Sequence, residues 1–209
     1  MASEPLTKSE IAKLVANDIP SGSYVNLGIG LPTLVSNFIT LDSDIILHTE
    51  NGMLGMGPEA LGDEIDLELI NAGKIPVTEL LGASYFHQAD SFAMIRGGHI
   101  DICVLGAFQV SFAGDLANWH AGDPNDIPSV GGAMDLASGA AKMFVMMTLF
   151  DKSGKSKLVT ECTAPLTAVK CVNRIYSDMA IIDITAGGID VLEVFGISEG
   201  ELLDRIGIH

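Results

Sequence analysis

Short apolar runs that alternate with helical stretches constrain the fold of this chain more than any other feature of its sequence. Five such runs are typical of buried strands, and they cover residues 24–27, 45–47, 100–105, 144–149 and 179–184. Helical patterns separate several of these runs, and this alternation predicts an open α/β sheet with mainly parallel strands and flanking helices. Since the chain shows no internal repeat, low-complexity tract or long linker, we predict a single domain over residues 1–209.

Capping and turn signals define both ends of the predicted fold. Thr7 and Glu10 have the spacing of a capping box, so a first helix begins there and ends before Pro20. Near the other end, a glycine turn predicts a hairpin over residues 181–194, and Ser198 caps a last helix.

The charge and hydropathy of the chain exclude some classes of partner. A net charge of −16 argues against nucleic acid, because binding to a phosphate backbone requires a basic face. The longest apolar run, near residues 143–150, is far shorter than the roughly 20 residues of a membrane span. The first residues lack a basic region followed by an apolar stretch, so we predict a cytoplasmic protein.

The cysteine and histidine residues show no pattern of a disulfide framework or a metal site. Cys103, Cys162 and Cys171 are an odd set without Cys-x-x-Cys spacing, and we interpret them as reduced packing residues. His99 and His120 lack the spacing of metal ligands, so no metal is expected.

A carboxylate lies where a predicted strand meets a glycine-rich turn. Glu50 follows the apolar run at 45–47, and Asn51 and Gly52 can adopt the positive φ values of a sharp turn. Ligands of open α/β sheets bind at the carboxyl ends of the strands. The apolar residues at 53–56 would place this carboxylate in a partly desolvated cleft, where an acid is costly unless it has a role. From local sequence alone, the alternative is a solvated turn residue.

The residues from His48 to Gly55 resemble the Ser/Thr-Glu-Asn-Gly signature of family I coenzyme A transferases. The resemblance runs along nearly the whole chain and implies the α/β fold of that family. It implies that Glu50 is the covalent nucleophile, which attacks an acyl-CoA carbonyl, forms an acyl-glutamyl anhydride and is then captured by the coenzyme A thiolate. It also implies that the coenzyme A thioester is a substrate, with no permanently bound cofactor and no metal.

Each step of such a transfer passes through an oxyanion, which backbone amides at glycine-rich loops can stabilise. One candidate loop contains Gly28 and Gly30, whose alternative role is a tight strand-to-helix turn. A second contains Gly131 and Gly132 and precedes a helix predicted over 136–142. In the resembling family the matching Gly-Gly-Ala-Met-Asp segment contributes an amide to the oxyanion hole. The candidates for oxyanion or substrate binding are Asn51, Gly52, Gly28, Gly30, Gly131 and Gly132.

Two further residues are candidates for substrate recognition. Arg96 lies in the segment 90–99, which matches the family, and could support the active site or bind a phosphate; its alternative role is that of a helix-end residue. His120 follows Trp119 in a loop that could sense the acceptor, although a buried tryptophan anchor beside an exposed histidine fits at least equally well.

The segments 114–122 and 127–131 look closest to the B-type chains of the family branch that uses 3-oxoadipate. This implies succinyl-CoA as donor and 3-oxoadipate as acceptor, with the acetoacetate-using branch as the alternative. The resemblance also implies a companion subunit of the A type, in a heterodimer or an A2B2 heterotetramer, with the active site at the interface. Such a partner could supply the basic groups that the coenzyme phosphates need.

Two functions of other classes fit parts of the pattern. A sugar-phosphate isomerase shares the general sheet architecture and would use the carboxylate as a general base. A non-catalytic ligand-binding or scaffolding subunit would leave the chemistry to its partner. Loss of turnover after substitution of Glu50 would indicate the enzyme, and retained turnover would indicate the scaffolding subunit.

Overall fold

A large central sheet, covered by helices on both faces, forms the structure. The computed structural model describes residues 4–120 and 131–208, so parts of the segments 114–122 and 127–131 lie outside the described residues. In chain order, the helices and strands are α1 (Lys8–Asp18), β1 (Tyr24–Leu27), β2 (Ile46–Thr49), β3 (Met53–Glu59), β4 (Val77–Tyr85), α2 (Gln88–Arg96), β5 (Ile102–Gly106), β6 (Gln109–Ser111), β7 (Leu116–Ala117), α3 (Ala133–Gly139), β8 (Lys142–Met147), β9 (Leu158–Val159), β10 (Val172–Ser177), β11 (Ala180–Thr185), β12 (Gly188–Val194) and α4 (Glu199–Ile206). Short 3-10 helices cover Leu31–Phe38, Leu41–Ser43 and Gly62–Glu64.

Nine strands of the described residues form the large sheet, in the order β12-β11-β10-β8-β5-β1-β2-β3-β4. The five strands from β10 to β2 are parallel. The two strands at each edge are antiparallel to their neighbours. A smaller sheet has the order β7-β6-β9. The predicted open α/β fold is therefore confirmed, with its parallel strands at the centre of the sheet.

Burial on both faces explains why the central strands have continuous apolar sequences. In β5, Ile102 and Val104 pack on one face in a core that includes residues of α1. Cys103 and Leu105 pack on the other face with residues of α2, α3 and α4. Cys103 is fully buried, in agreement with the prediction of a packing residue, and all three cysteines are free.

Local capping signals define the ends of the outer helices as predicted. The Thr7 hydroxyl accepts a hydrogen bond from the amide of Glu10, whose carboxylate accepts one from the amide of Thr7. The Ser198 hydroxyl accepts from the amide of Glu201 at the start of α4, which ends at Gly207 with positive φ. The predicted hairpin near the end of the chain is formed by β11 and β12.

The helix predicted over residues 136–142 begins and ends three residues earlier, at Ala133 and Gly139. It ends early because Lys142 already belongs to β8, and its amide donates to the carbonyl oxygen of Asp101. Close packing on α2 also requires the glycine at its last position, since a Cβ atom on Gly139 would lie 2.3 Å from the carbonyl oxygen of Ile95. No helix in the described residues is long and apolar enough to cross a membrane.

Candidate active site

A cavity of about 480 Å³ opens at the edge of the sheet where three parallel strands end. Gly28 follows β1, Glu50 follows β2, and Gly106 is the last residue of β5. Because these strands are parallel neighbours, their carboxyl ends bring the three residues to one edge. The cavity is lined by Gly28, Ile29, Glu50, Leu105, Gly106, Ala107, Phe108, Asn118, Gly131, Gly132, Ala133 and Leu136. Four residues predicted from the sequence, Gly28, Glu50, Gly131 and Gly132, therefore share one cavity.

The Glu50 carboxylate is half-buried in this cavity. No hydrogen bond or ion pair to it is formed within residues 4–120 and 131–208. Burial raises the pKa of Glu50 above its usual value, since desolvation penalises the charged form. An exposed carboxylate in a turn would be solvated and free of this cost. The structure therefore favours a carboxylate available for chemistry over a solvated turn residue.

Gly132 brings the backbone of the second glycine loop next to this carboxylate. A Cβ atom at Gly132 would lie 3.0 Å from Glu50 Oε2 and 2.9 Å from Cζ of Phe92. Since α3 begins at the next residue, the amide hydrogens of this turn have no acceptor within their own helix. The backbone of this turn therefore lies beside Glu50, and its amides are candidates for an oxyanion site.

The first glycine loop differs from the second in its hydrogen bonding and packing. The Gly28 amide donates to the carbonyl oxygen of Val104 at 2.8 Å, so its hydrogen is already used. A Cβ atom at Gly28 would lie 2.6 Å from a methyl carbon of Leu105, so glycine permits close packing of the cavity wall. Gly30 has a φ of 90° at the start of the following 3-10 helix and does not line the cavity. The alternative of a tight strand-to-helix turn describes this loop best.

Asn51 and Gly52 shape the turn that presents Glu50. The side-chain amide of Asn51 donates to the carbonyl oxygen of Ile70 at 2.8 Å. Gly52 has a φ of 119°, and a Cβ atom there would lie 2.1 Å from the carbonyl oxygen of Phe86. Neither residue lines the cavity. Their contacts fix the course of the chain around Glu50.

The two recognition candidates also lie outside the cavity lining. Arg96 Nε donates to Asp135 Oδ1 at 2.6 Å, which joins α2 to α3 in an exposed ion pair. Trp119 Nε1 donates to the carbonyl oxygen of Leu166, and the His120 ring lies 5.7 Å from the Trp119 ring. These contacts support a structural role for Arg96 and an anchoring role for Trp119, but Trp119 and His120 are both half-buried, so the expectation of a buried tryptophan beside an exposed histidine is wrong.

A buried polar network behind Glu50 was not predicted from the sequence. The Asn26 side-chain amide donates to the His48 carbonyl oxygen, which can only accept, and lies 3.0 Å from His48 Nδ1. His48 Nδ1 is therefore the acceptor, and His48 Nε2 donates to the Ser91 hydroxyl at 2.9 Å. Ser91 in turn donates to the carbonyl oxygen of Thr49, the residue before Glu50. The network joins β1, β2 and α2, and its sequence signal is a pair of polar residues within apolar strands.

Replacing His48 with Gln is expected to reduce the sensitivity of the fold to acid. Burial lowers the pKa of His48 from 6.5 to about 4. Between pH 4 and pH 6.5, His48 is therefore mostly protonated in the unfolded chain and mostly neutral in the folded chain. Stability from this group is complete above pH 6.5 and is lost as the pH falls toward 4. Between roughly pH 7 and pH 5 the loss amounts to about 2 kcal/mol in the free energy of unfolding.

Urea unfolding at about pH 7 and about pH 5 measures this difference for the wild type and His48→Gln. Gln keeps one donor and one acceptor, so the network can persist. The exposed His99→Gln is the control and should follow the wild type. An equal loss of stability in all three proteins would contradict the assignment of His48 as a buried neutral imidazole.

No group of three or more His, Cys, Asp or Glu side chains that could hold a metal ion occurs in the described residues. Glu50 is the only charged residue of the cavity lining among them. The described lining thus offers no cation for a negatively charged ligand.

Comparison with known proteins gives concordant results. The sequence model of the family "Coenzyme A transferase" matches residues 8–204. The chain is 59% identical over 189 residues to the B-type chain of 3-oxoadipate CoA-transferase from Pseudomonas putida, covering 90% of this chain and 88% of the relative. It is 57% identical over 203 residues to the protein of the same name in Acinetobacter baylyi, covering 97% and 94%. The B-type chain of a succinyl-CoA:3-ketoacid coenzyme A transferase from Helicobacter pylori is 45% identical over 199 residues, covering 95% and 94%.

Solved structures with low sequence identity share the fold. An acyl-CoA transferase of Escherichia coli O157:H7 superposes with a TM-score of 0.74 at 18% identity; the match covers 98% of this chain but only 42% of that longer chain. Glutaconate coenzyme A-transferase of Acidaminococcus fermentans has a TM-score of 0.68 at 14% identity, covering 98% and 85%. The predicted sheet architecture thus recurs in these structures.

Proposed function

This chain belongs to the coenzyme A transferase family, and on this basis we propose that it transfers coenzyme A from succinyl-CoA to 3-oxoadipate as the catalytic, B-type chain of a heteromer. Family membership replaces the interpretation as a sugar-phosphate isomerase. The observation that carries the proposal is the half-buried carboxylate of Glu50 next to Gly132 in the cavity, which forms no hydrogen bond or ion pair with the described residues. The names of the relatives from Pseudomonas putida and Acinetobacter baylyi support 3-oxoadipate as acceptor, and the name of the relative from Helicobacter pylori supports succinyl-CoA as donor.

Glu50 acts as the nucleophile in two successive exchanges. Its carboxylate attacks the carbonyl of succinyl-CoA, and the collapse of the tetrahedral adduct releases the coenzyme A thiolate and leaves a succinyl-glutamyl anhydride. The thiolate then attacks the glutamyl carbonyl, which releases succinate and forms a glutamyl-CoA thioester. The carboxylate of the acceptor repeats the sequence in reverse, so that the acyl-CoA product leaves and Glu50 is regenerated. No electron is transferred to or from an outside group.

The environment of Glu50 suits this chemistry. Burial raises the pKa of the carboxylate by removing water from it, and a poorly solvated carboxylate is a more reactive nucleophile. Amide hydrogens at Gly131 and Gly132 would stabilise the oxyanions of the tetrahedral adducts, each contributing about 3 kcal/mol. Gly132 is the closer of the two to Glu50, since only its Cβ position contacts the carboxylate.

A companion subunit of the A type completes the site in this proposal. Coenzyme A and the acceptor are both anionic, whereas the described lining contains no Lys, Arg or His. The net charge of −16 makes the average field of the chain unfavourable for both. Basic groups from the companion would supply the missing charge, in a heterodimer or an A2B2 heterotetramer. The relatives compared above are themselves named as B-type subunits.

Three further features belong to the proposal. Residues 1–209 act as one domain, and the coenzyme A thioester enters as a substrate without a permanently bound cofactor. The protein works in the cytoplasm, where its three free cysteines remain reduced.

The test is an acceptor panel assayed with the co-expressed companion subunit. With succinyl-CoA as donor, kcat/KM for 3-oxoadipate should exceed that for acetoacetate by about 100-fold, because a site that binds the second carboxylate discriminates against an acceptor that lacks it. Formation of the acyl-CoA products measures both reactions. A preference for acetoacetate would contradict the proposed acceptor, and hydrolysis of succinyl-CoA without transfer would contradict the transferase.

A further inference from the structure

An exposed apolar surface lies along one edge of the large sheet, on the side of the Glu50 turn. The edge strand β4 and the preceding segment 61–69 form it, and we call it the β4 face. Leu81 is fully exposed, and four other large apolar side chains are between 48% and 76% exposed. These four are Leu61, Ile65, Leu67 and Tyr85. Exposed apolar side chains concentrated in this way mark interaction sites more often than free surface.

The segment and the strand lie side by side. Glu64, Asp66 and Glu68 line the same cleft as Val77, Glu79 and Tyr85. The Tyr85 hydroxyl donates to the Glu79 carboxylate across this cleft. The cleft therefore brings Tyr85 of β4 next to the segment that carries Leu61, Ile65 and Leu67.

Leu81 projects from an irregularity in β4. Leu54 pairs with Ser84, and Met56 pairs with Glu79. An advance of two residues along β3 thus corresponds to five residues along β4. The extra residues form a bulge in which Gly82 has a φ of 92°. A bulge disrupts pairing and re-aims side chains. Here it directs a leucine out of the protein, where it packs against nothing in the described part of the chain.

The charge of the β4 face restricts what can cover it. Five acidic residues accompany its apolar side chains, namely Asp63, Glu64, Asp66, Glu68 and Glu79. Lys74 is the only Lys or Arg between Lys13 and Arg96 in the sequence. The ion pairs of Arg96 and Arg174 lie in other parts of the structure. A second copy of the chain docked symmetrically would place like charges together, and an anionic membrane would be repelled.

Two contacts connect the β4 face to the Glu50 turn. The Asn51 side chain donates to the carbonyl oxygen of Ile70, next to the segment 61–69. A Cβ atom on Gly55 would lie 3.0 Å from Cα of Ala83, so the bulge packs directly on the strand that follows the turn. A partner bound on this face therefore lies next to the chain that presents Glu50, from where it can supply the cations that the described cavity lining lacks.

We propose that the companion subunit docks on the β4 face, with an apolar pocket that receives Leu81 and a basic rim that faces the five acidic residues. This inference rests on the proposed function only for the identity of the partner. Apolar centres with charged rims are typical of specific interfaces, and opposite charges accelerate association.

The test compares variants at the two edges of the sheet in complexes with the purified companion subunit. Leu81→Asp and Leu81→Ser should each raise the Kd at least about 30-fold, as expected for a central interface residue. Leu192 lies in β12 at the opposite edge and is 48% exposed, so Leu192→Asp is the matched control. Its Kd should stay within about twofold of the wild type. All variants should keep the wild-type Tm, because the substituted side chains are exposed.

Charge reversal gives an independent measurement. Glu64→Lys combined with Glu68→Lys should slow the association rate and weaken its dependence on salt. Wild-type affinity in the Leu81 variants would overturn the proposal, as would a homodimer of this chain that dissociates on Leu81→Asp while the companion still binds. If the wild-type chain itself fails to bind the companion, the proposed heteromer fails, which is a separate result from retained binding in the Leu81 variants.

Discussion

Replacing Glu50 with Gln is expected to lower kcat of the assembled transferase by about 10⁴-fold or more. The amide keeps the size of the side chain but cannot form an anhydride with the acyl group. Glu50→Asp provides the matched comparison, since it keeps a carboxylate but withdraws it by one methylene, a misplacement of about 1 Å that should cost about 10²-fold. Steady-state transfer from succinyl-CoA measures all three proteins. Retained turnover in Glu50→Gln would favour the scaffolding interpretation.

Glu50→Gln should be at least as stable as the wild type. Because burial raises the pKa of Glu50, this group contributes stability below its unfolded pKa and loses it as the pH rises through the folded value. At neutral pH the charged form is therefore a cost, which the neutral amide removes. We expect Tm to be unchanged or higher by about 2 °C. A stable but inactive variant separates loss of chemistry from loss of fold.

Replacing Gly132 with Ala is expected to lower kcat by about 10²-fold, the cost of misplacing a reacting group by about 1 Å. The new methyl group would lie 3.0 Å from Glu50 Oε2 and 2.9 Å from Phe92 Cζ, so it displaces the carboxylate or the loop. The backbone itself is not strained, because Gly132 has φ −69° and ψ 0°, values that alanine adopts readily. The loss should appear in kcat with a smaller change in KM.

Gly131→Ala is the matched control for this substitution. Its Cβ atom would have no neighbour within 4 Å. Activity should therefore stay within about tenfold of the wild type. Equal losses in the two variants would mean that the methyl group acts by filling the cavity rather than by displacing Glu50. Wild-type activity in both variants would contradict the placement of Gly132 beside the nucleophile.

The sequence was sufficient to predict the position of Glu50 because the relevant signals are local. An apolar strand followed by a carboxylate and Asn-Gly specifies a strand end and a sharp turn, and the structure has both. The helix caps at Thr7 and Ser198 were equally predictable, since each depends on residues three positions apart. The parallel order of β1, β2, β5 and β8 fits the predicted alternation of strands and helices, whereas the parallel strand β10 was not predicted and no helix separates it from β8.

Contacts between distant segments could not be predicted in this way. His48 and Ser91 are 43 positions apart, and Arg96 and Asp135 are 39 apart. Their pairing depends on how α2 packs on β2 and α3, which no local pattern encodes. The strands β3 and β4 were also missed, because glycines and a bulge interrupt their alternation.

The two glycine loops also differ in ways that the sequence alone could not predict. Gly28 and Gly132 are both in glycine-rich turns after or before regular structure, and both were candidates for oxyanion binding. The register of β1 with β5 assigns the Gly28 amide to the Val104 carbonyl oxygen. The position of Gly132 at the start of α3 places it beside Glu50 instead. Only the tertiary structure distinguishes these roles.

Mass spectrometry of the covalent intermediate tests the central claim most directly. The assembled enzyme is incubated with succinyl-CoA in the absence of acceptor, quenched and digested. The account predicts that the peptide containing Glu50 gains the mass of a coenzyme A thioester, and that Glu50→Gln shows no such gain. Turnover with an unmodified Glu50 peptide, or with the adduct on another residue, would contradict it.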